Sequence, residues 1–189
     1  MSTPDAETPS FIRKIPAGDD RHRLVCDTCG WIHYENPKVV VGSVVVRGQA
    51  GAEEVLLCRR AIEPRRGYWT LPAGFLEEHE STEAGAMREA REEANADISI
   101  RALMAIYSIP RISQVQLIYL AELNHPEVSP GPESAAVAFF RWDDIPWADL
   151  AFPSVHWALR QYRSLGGRRE FQPFTNPPGE TGDRLPDDV

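Results

Sequence analysis

The sequence predicts an α/β domain built on a mixed sheet. Residues 39–46 form a nearly continuous run of β-branched side chains, which is typical of a buried strand. Residues 81–94 are rich in Ala and Glu and contain no Pro, so they predict a helix of about four turns. Strand-like and helix-like segments alternate along the 189 residues, which favours helices packed on a sheet over an all-α or all-β fold.

The chain is expected to divide into three parts. Residues 1–36 form an N-terminal extension with a short Cys-x-x-Cys turn, residues 37–165 form the main domain, and residues 166–189, rich in Pro and Gly, form a C-terminal tail. Within the main domain the composition predicts strands and one further helix in this order: strands at 39–46, 55–58, 68–71, 98–109, 115–121 and 137–142, and the second helix at 154–165.

The first helix has predicted ends and a predicted packed face. Ser81 or Thr82 is expected to cap its N-terminus, because both side chains accept hydrogen bonds from free backbone N–H groups. The small and apolar residues that recur at helical spacing are expected to pack on the sheet. They are Ala84, Met87, Ala90 and Ala94.

Charge and composition exclude several classes of protein. Lys and Arg total 20 against 28 for Asp and Glu, giving a net charge of −8, which argues against nucleic acid or an anionic membrane as partner. No apolar run approaches the roughly 20 residues of a membrane helix, and the first residues lack the pattern of a signal peptide. Three cysteines do not make a disulfide framework. We therefore expect a cytoplasmic protein.

Three carboxylates of the first helix share one face. Glu89, Glu92 and Glu93 are spaced i, i+3 and i+4. At about 5 Å and an effective dielectric near 20, each pair repels by about 3 kcal/mol when shielded from water. A solvated acidic face is the simpler interpretation. The Gly turn before the helix favours a ligand site instead, because backbone groups approach a ligand closely there.

The stretch 74–96 resembles the Nudix box. That pattern is Gly, five residues, Glu, seven residues, Arg-Glu, an apolar residue, any residue, Glu-Glu, any residue, Gly and an apolar residue. Six of its positions are matched here, by Gly74, Glu80, Arg88, Glu89, Glu92 and Glu93. Two positions depart from it: Asn95 replaces the Gly, and Ala96 is weakly apolar. Asn tolerates the left-handed conformation that ends a helix, so the first departure is mild.

The resemblance implies a fold, a metal and catalytic residues. The fold would be the Nudix α/β/α sandwich with a mixed central sheet. Glu89, Glu92 and Glu93, with the Ala73 carbonyl, would bind Mg²⁺ or Mn²⁺, ions that prefer hard oxygen ligands. Glu80 would pair with Arg88 and, with Gly74, hold the loop and the helix together.

Flanking stretches resemble one Nudix subgroup, whose members carry an N-terminal zinc ribbon and are described as ADP-ribose or FAD pyrophosphatases. They are residues 34–37, 56–64, 69–74 and 130–134. This resemblance implies a homodimer that hydrolyses a small nucleotide such as ADP-ribose or FAD and releases AMP. Alternatives are hydrolysis of NADH or of a nucleoside triphosphate, a non-catalytic nucleotide sensor, and a metal-free interaction domain with an acidic helix.

The zinc ribbon departs most from the relatives, which have two Cys-x-x-Cys pairs. Here only Cys26 and Cys29 form such a pair, while a structural zinc takes four ligands. We expect a remnant that folds without metal; completion of a site by His22 and His33 is the alternative. Cys58 lies in a strand pattern and is expected to be buried.

Further candidates surround the box. The basic stretch Arg59, Arg60, Arg65 and Arg66 is suited to phosphate, and the strand register predicts that either Arg59 or Arg60 points towards the site. Glu133 is the candidate for general base or extra metal ligand, followed by Glu127. The candidates for ring stacking, which are equally consistent with core positions, are Tyr34, Tyr68, Trp69 and Phe75. His79 is expected to face solvent.

Overall fold

The computed structural model describes residues 10–49, 51–168 and 170–183. These residues form two compact units, and the boundary lies between Asn36 and Pro37. The first unit is an antiparallel sheet in the order β1-β2-β3. Its strands are β1 (Phe11–Lys14), β2 (Arg23–Cys26) and β3 (Ile32–His33).

The second unit contains the mixed sheet that the sequence predicts. Within its described residues seven strands pair in the order β10-β5-β4-β9-β8, with β6 beside β5 and β7 beside β4. β4 and β9 run parallel, and the other pairs are antiparallel. The elements are β4 (Lys38–Arg47), β5 (Glu54–Arg60), β6 (Trp69–Thr70), β7 (Ala73–Phe75), α1 (Thr82–Ala94), β8 (Ile98–Ile109), β9 (Gln114–Leu123), β10 (Ser134–Arg141) and α2 (Pro153–Leu165).

Both faces of this sheet are covered by a helix. Neighbouring residues of β4 point to opposite faces, as the strand period of two requires. Val44 belongs to the core cluster that contains Leu159 of α2, whereas Val45 packs in the cluster that contains Ala90 and Ala94 of α1. The predicted α/β/α sandwich is therefore confirmed.

The helix α1 begins and ends where the sequence predicts, but its packed face differs. Ser81 accepts a hydrogen bond from the Ala84 N–H at 3.1 Å, and Asn95 adopts the left-handed conformation expected of it. Met87 was predicted to be buried and is instead 37% exposed, so that prediction was wrong. The buried face of α1 includes Glu89 and Glu93 in place of Met87, so it is not the purely apolar face that the sequence predicts.

The strand β7 was not predicted, and it decides where the site forms. It pairs antiparallel with β4, with Gly42 opposite Ala73 and Val41 opposite Gly74. A Cβ at position 42 would overlap Ala73, so only glycine allows this close approach. The strand predicted at 68–71 is observed only as the two residues of β6. Its pairing with β5 ends at Thr70, and the chain then turns to pair with β4 as β7.

The described part of the predicted tail lies along β8. Phe174 forms a parallel bridge with Ala105, and its backbone bonds Met104 and Ile106 at 2.8 and 2.9 Å. The Asn176 amide makes two further bonds to the backbone of Ser108. Residues 169 and 184–189 of the predicted tail lie outside the described residues. Among the described helices, none has the length and apolar character needed to cross a bilayer.

Candidate active site

Two of the three box carboxylates are buried, and the third is exposed. Glu89 is 8% and Glu93 is 6% exposed, although charged residues rarely lie at such depth without a partner. The Glu92 side chain is 58% exposed. The helix thus presents Glu89 and Glu93 towards the β7 segment and leaves Glu92 at the rim.

Arg88 connects these carboxylates to the loop before the helix. Its guanidinium makes a bidentate pair with Glu80 at 2.9 and 3.1 Å, and Nη1 donates to both Glu89 and Glu92 at 2.8 Å. Nη2 also donates to the Phe75 carbonyl at 3.0 Å. These hydrogen bonds lower the pKa of Glu80 and raise that of Arg88. The Glu80–Arg88 pair that the resemblance implied is therefore present, and it fixes the loop on the helix.

The β7 segment approaches the carboxylates with its backbone. A Cβ at position 74 would overlap the Glu89 carboxylate, so Gly74 provides the space in which that group lies. The Ala73 N–H donates to Glu93 Oε2 at 3.2 Å. The local sequence Ala-Gly thus supplies a small residue and a free donor at the place where the buried carboxylates need them.

Burial raises the proton affinity of both inner carboxylates. Burial raises the pKa of Glu93 to about 7; the charges of Glu89 and Glu133 add to this effect, while the Ala73 N–H and Arg60 oppose it. Burial also raises the pKa of Glu89, against the opposing effect of Arg88. A cation bound near these two buried carboxylates would stabilise their charged forms and lower both pKa values.

The oxygen donors at this position suit a hard divalent cation, but they do not enclose one. In residues 10–49, 51–168 and 170–183 no three His, Cys, Asp or Glu side chains form a complete ligand group. Arg88 lies between Glu89 and Glu92 and makes hydrogen bonds to both. Mg²⁺ commonly keeps several waters and takes one or two carboxylates plus substrate phosphates, so a partial set of protein ligands fits this ion.

A cavity of about 1120 Å³ opens onto the carboxylates. This exceeds the roughly 300–1,000 Å³ of ordinary ligand pockets, so a dinucleotide-sized molecule fits. The matched box positions that line it are Gly74, Arg88, Glu89, Glu92 and Glu93, and Ala73 lies beside them in the lining. The other predicted site residues that line it are Arg60, Arg65, Phe75 and Glu133.

The structure distinguishes between the arginines. Arg60 lines the cavity, whereas Arg59 lies outside its lining and donates from Nε to the Gly67 carbonyl at 2.8 Å. Of the second pair, Arg65 lines the cavity, with its guanidinium 4.8 Å from the Tyr68 ring centre. Arg66 is not part of the lining. The alternation along β5 therefore selects Arg60 where the sequence left two candidates.

Glu133 lies at the cavity, and Glu127 does not line it. The Glu133 backbone carbonyl accepts a hydrogen bond from the Ala61 N–H at 2.8 Å, while its side chain is exposed. Its loop packs tightly on α1, because a Cβ at Gly131 would overlap the Glu92 carbonyl. This packing holds the Glu133 carboxylate close enough to raise the pKa of Glu93.

The remaining candidates are placed away from the carboxylates. Tyr68 and Trp69 do not line the cavity, and Trp69 packs edge-on against Phe140 in the core, with ring centres 5.0 Å apart. Tyr34 belongs to the first unit, and His79 is exposed as expected. Of the four aromatic candidates only Phe75, which is 51% exposed, lines the cavity.

Several lining residues were not identified from the sequence. They come from the β8–β9 turn, the first residues of β9, the start of α2 and the C-terminal segment, and include Arg111, Gln114, Gln116, Phe152, Ser154 and Asp183. Arg111 pairs with Asp183 at 3.0 Å. No motif marks these residues, because they come together only when the sheet is formed.

The first unit contains one Cys-x-x-Cys turn, formed by Cys26 and Cys29 and called the cysteine knuckle below. The Gly30 N–H donates to the Cys26 carbonyl at 2.9 Å, and the Cys26 N–H donates to the Trp31 carbonyl at 2.8 Å. Cys26 is buried and Cys29 exposed. In the described part of this unit neither His22 nor His33 joins them in a group of three ligands. The His33 ring instead lies against Trp31, with ring centres 5.6 Å apart and the planes tilted by 40°. Cys58, in the second unit, is buried as expected.

Comparison with known proteins gives matches over most of the chain. The family model described as NUDIX domain matches residues 36–163, and a zinc-ribbon model described as Nudix N-terminal matches residues 9–35. The solved structure of a NUDIX hydrolase from Nitrosomonas europaea is 43% identical, covers 93% of this chain and 98% of that chain, and superposes with a TM-score of 0.82.

Two curated relatives carry more specific names. An ADP-ribose pyrophosphatase of Methanocaldococcus jannaschii is 27% identical, over 63% of this chain and 69% of its own length. The NAD-capped RNA hydrolase NudC of Stutzerimonas stutzeri is 34% identical over 65% of this chain, but the match spans only 43% of that relative.

Proposed function

Because the chain belongs to the Nudix hydrolase family, we propose that it hydrolyses the pyrophosphate bond of a nucleoside diphosphate derivative and releases AMP. ADP-ribose is the first candidate substrate, and FAD is the second. The observation that carries the proposal is the burial of Glu89 and Glu93 beside a cavity of about 1120 Å³. The similarity to an ADP-ribose pyrophosphatase supports the choice of substrate.

Glu89, Glu92 and Glu93, with the Ala73 carbonyl, would hold Mg²⁺ or Mn²⁺. Such an ion neutralises phosphate charge and lowers the pKa of a bound water. The oxygen donor set and the raised pKa values of Glu89 and Glu93 support this assignment, since burial removes both carboxylates from water and a bound cation would stabilise their charged forms.

The chain's own residues would position the substrate and take up a proton. Arg60 would donate to a phosphoryl oxygen, because it lines the cavity and its charge already acts on Glu93. Arg88 would keep Glu89 and Glu92 oriented through its two 2.8 Å hydrogen bonds. The exposed Glu133 carboxylate would accept the proton of the attacking water.

A nicotinamide dinucleotide is the alternative substrate that the comparisons favour. The relative named NAD-capped RNA hydrolase is 34% identical over 128 residues, which are 65% of this chain. Gln114 and Gln116 line the cavity and offer amide groups to a polar ring. A homodimer and a cytoplasmic location remain predictions.

A substrate panel tests the proposal. Purified protein with Mg²⁺ is incubated with ADP-ribose, FAD, NADH or a nucleoside triphosphate, and the products are separated by chromatography. AMP with ribose 5-phosphate is expected from ADP-ribose, and the ratio of rates ranks the alternatives. Absence of turnover with both Mg²⁺ and Mn²⁺ would contradict the proposal and favour a nucleotide sensor.

A pair of variants tests the general base. Glu133→Gln is expected to lower kcat by 10²–10⁴-fold, the usual contribution of a positioned base. Glu127→Gln is the matched control, since Glu127 is another exposed loop glutamate nearby in sequence that does not line the cavity. Equal activity of the two variants would refute the role of Glu133.

A further inference from the structure

The helix α2 begins without the residues that usually satisfy a helix N-terminus. Its N-cap position is Phe152, whose side chain makes no capping hydrogen bond, and the next residue is Pro153. Its first turn contains no acidic residue. Ser, Thr, Asp or Asn normally occupies the cap, and the free N–H groups of an uncapped helix attract anions.

Ser154 adds two hydrogen-bond donors at this place, its backbone N–H and its hydroxyl. It is 8% exposed and lines the cavity. Within residues 10–49, 51–168 and 170–183, neither its hydroxyl nor its backbone N–H donates to a protein acceptor. The hydroxyl oxygen is not fully enclosed by protein, unlike the unpartnered atoms Ser43 Oγ and His156 Nδ1. Both donors therefore face the cavity, where an anionic ligand can accept hydrogen bonds from them.

Arg60 brings a positive charge to the same wall. Its guanidinium lies 5.3 Å from the Phe152 ring centre. Two loop carbonyls hold it from one side: Nε donates to Pro64 at 2.7 Å and Nη2 to Glu63 at 3.5 Å. Among the described residues Nη1 has no acceptor, so this nitrogen is available to a ligand.

We propose that the first turn of α2 and Arg60 form an oxyanion subsite that binds a phosphoryl group of the nucleotide substrate. The donors are the Ser154 N–H and hydroxyl and the Arg60 Nη1. This subsite lies in the same cavity as Glu89 and Glu93, so it would bind one part of a diphosphate while the bond that breaks lies at the carboxylates. The assignment of the anion to the substrate rests on the proposed function.

Metal-free protein in EDTA tests the subsite without turnover. Inorganic phosphate is titrated into the full chain, and the backbone amides are followed by ¹⁵N–¹H NMR. The Ser154 amide is expected to shift saturably. Ser154→Ala is expected to weaken phosphate binding about tenfold, the usual effect of losing one hydrogen bond to a charged group. Ser164→Ala, at the far end of α2, is the matched control, because that hydroxyl already donates to Gln161.

A second variant separates binding from folding. Ser154→Asp places a negative charge at a helix N-terminus, which stabilises the helix but repels phosphate. We therefore expect an unchanged or higher melting temperature together with loss of phosphate binding. Equal phosphate affinity of Ser154→Ala, Ser164→Ala and the wild type, or an unmoved Ser154 amide, would overturn the subsite.

ADP-ribose added to the phosphate-saturated, metal-free protein identifies the source of the anion. Displacement of phosphate is expected if the substrate occupies the subsite. Phosphate binding that ADP-ribose and FAD both leave undisturbed would overturn the assignment to the substrate. This test is independent of catalysis, so absence of turnover in the substrate panel would refute the proposed function without refuting the subsite.

Discussion

Replacing Glu93 with glutamine is expected to make the metal-free protein less sensitive to rising pH. Glu93 is 6% exposed, and burial raises its pKa to about 7, against 4.5 for a free glutamate. The native state therefore holds a proton that the unfolded chain has already lost between these two pH values. Unfolding releases that proton, so rising pH favours the unfolded state throughout this range.

The size of the effect follows from the two pKa values of Glu93. A pKa difference of about 2.5 corresponds to about 3 kcal/mol of unfolding free energy, lost between about pH 4.5 and pH 7 and absent above it. The raised pKa of Glu89 acts in the same direction. Glutamine has nearly the same shape as glutamate and no charge. The Glu93→Gln variant is therefore expected to lose less unfolding free energy than the wild type as the pH rises, and to be more stable than the wild type at pH 8.

Urea denaturation in EDTA from pH 5 to pH 8 measures this directly, with the free energy of unfolding extrapolated at each pH. Glu92→Gln is the matched control, because the Glu92 side chain is 58% exposed on the same helix and its loss should leave the pH dependence of the wild type in place. The reasoning is refuted if Glu93→Gln and the wild type lose stability in parallel as the pH rises.

Three further outcomes are expected. Arg60→Ala should raise KM for ADP-ribose about tenfold, while Arg59→Ala, whose side chain bonds a loop carbonyl outside the cavity, should change it far less; equal effects in steady-state kinetics would contradict the assignment. Gly74→Ala should destabilise the protein by about 1–3 kcal/mol in urea denaturation and lower activity, because the new Cβ overlaps the Glu89 carboxylate; wild-type stability and rate would show that this space is not needed. Metal analysis of gel-filtered protein should find less than one zinc per chain, because one cysteine knuckle offers two of the four usual ligands; a full, tightly bound equivalent would contradict this.

The parts of the structure that depend on local periodicity were predictable. The β-branched run became β4, and the Ala- and Glu-rich segment became α1 with Ser81 as its cap. Both signals lie within one element, so they need no knowledge of the tertiary structure. The buried face of α1 was harder, because Met87 is a better core residue than Glu89 by hydrophobicity alone. Only the Arg88 network and the β7 backbone explain why the carboxylate is buried instead.

The candidate site was predictable where one motif carried it and not where separate elements meet. The box located Glu89, Glu92 and Glu93 on one helix, since their spacing alone decides it. The choice of Arg60 over Arg59 needed the observed register of β5 against its neighbours. Ser154 was invisible in the sequence, because a serine at a helix start is ordinary until its hydroxyl is found unpartnered in a cavity wall.

The central claim is that the buried carboxylates of α1 support metal-dependent hydrolysis of a pyrophosphate bond. The most direct measurement is the rate of AMP release from ADP-ribose at saturating Mg²⁺ by the wild type and by Glu93→Gln, with folding of both verified by circular dichroism. The account predicts turnover by the wild type and a loss of most of it in the folded variant. Near-normal turnover by Glu93→Gln would contradict the account.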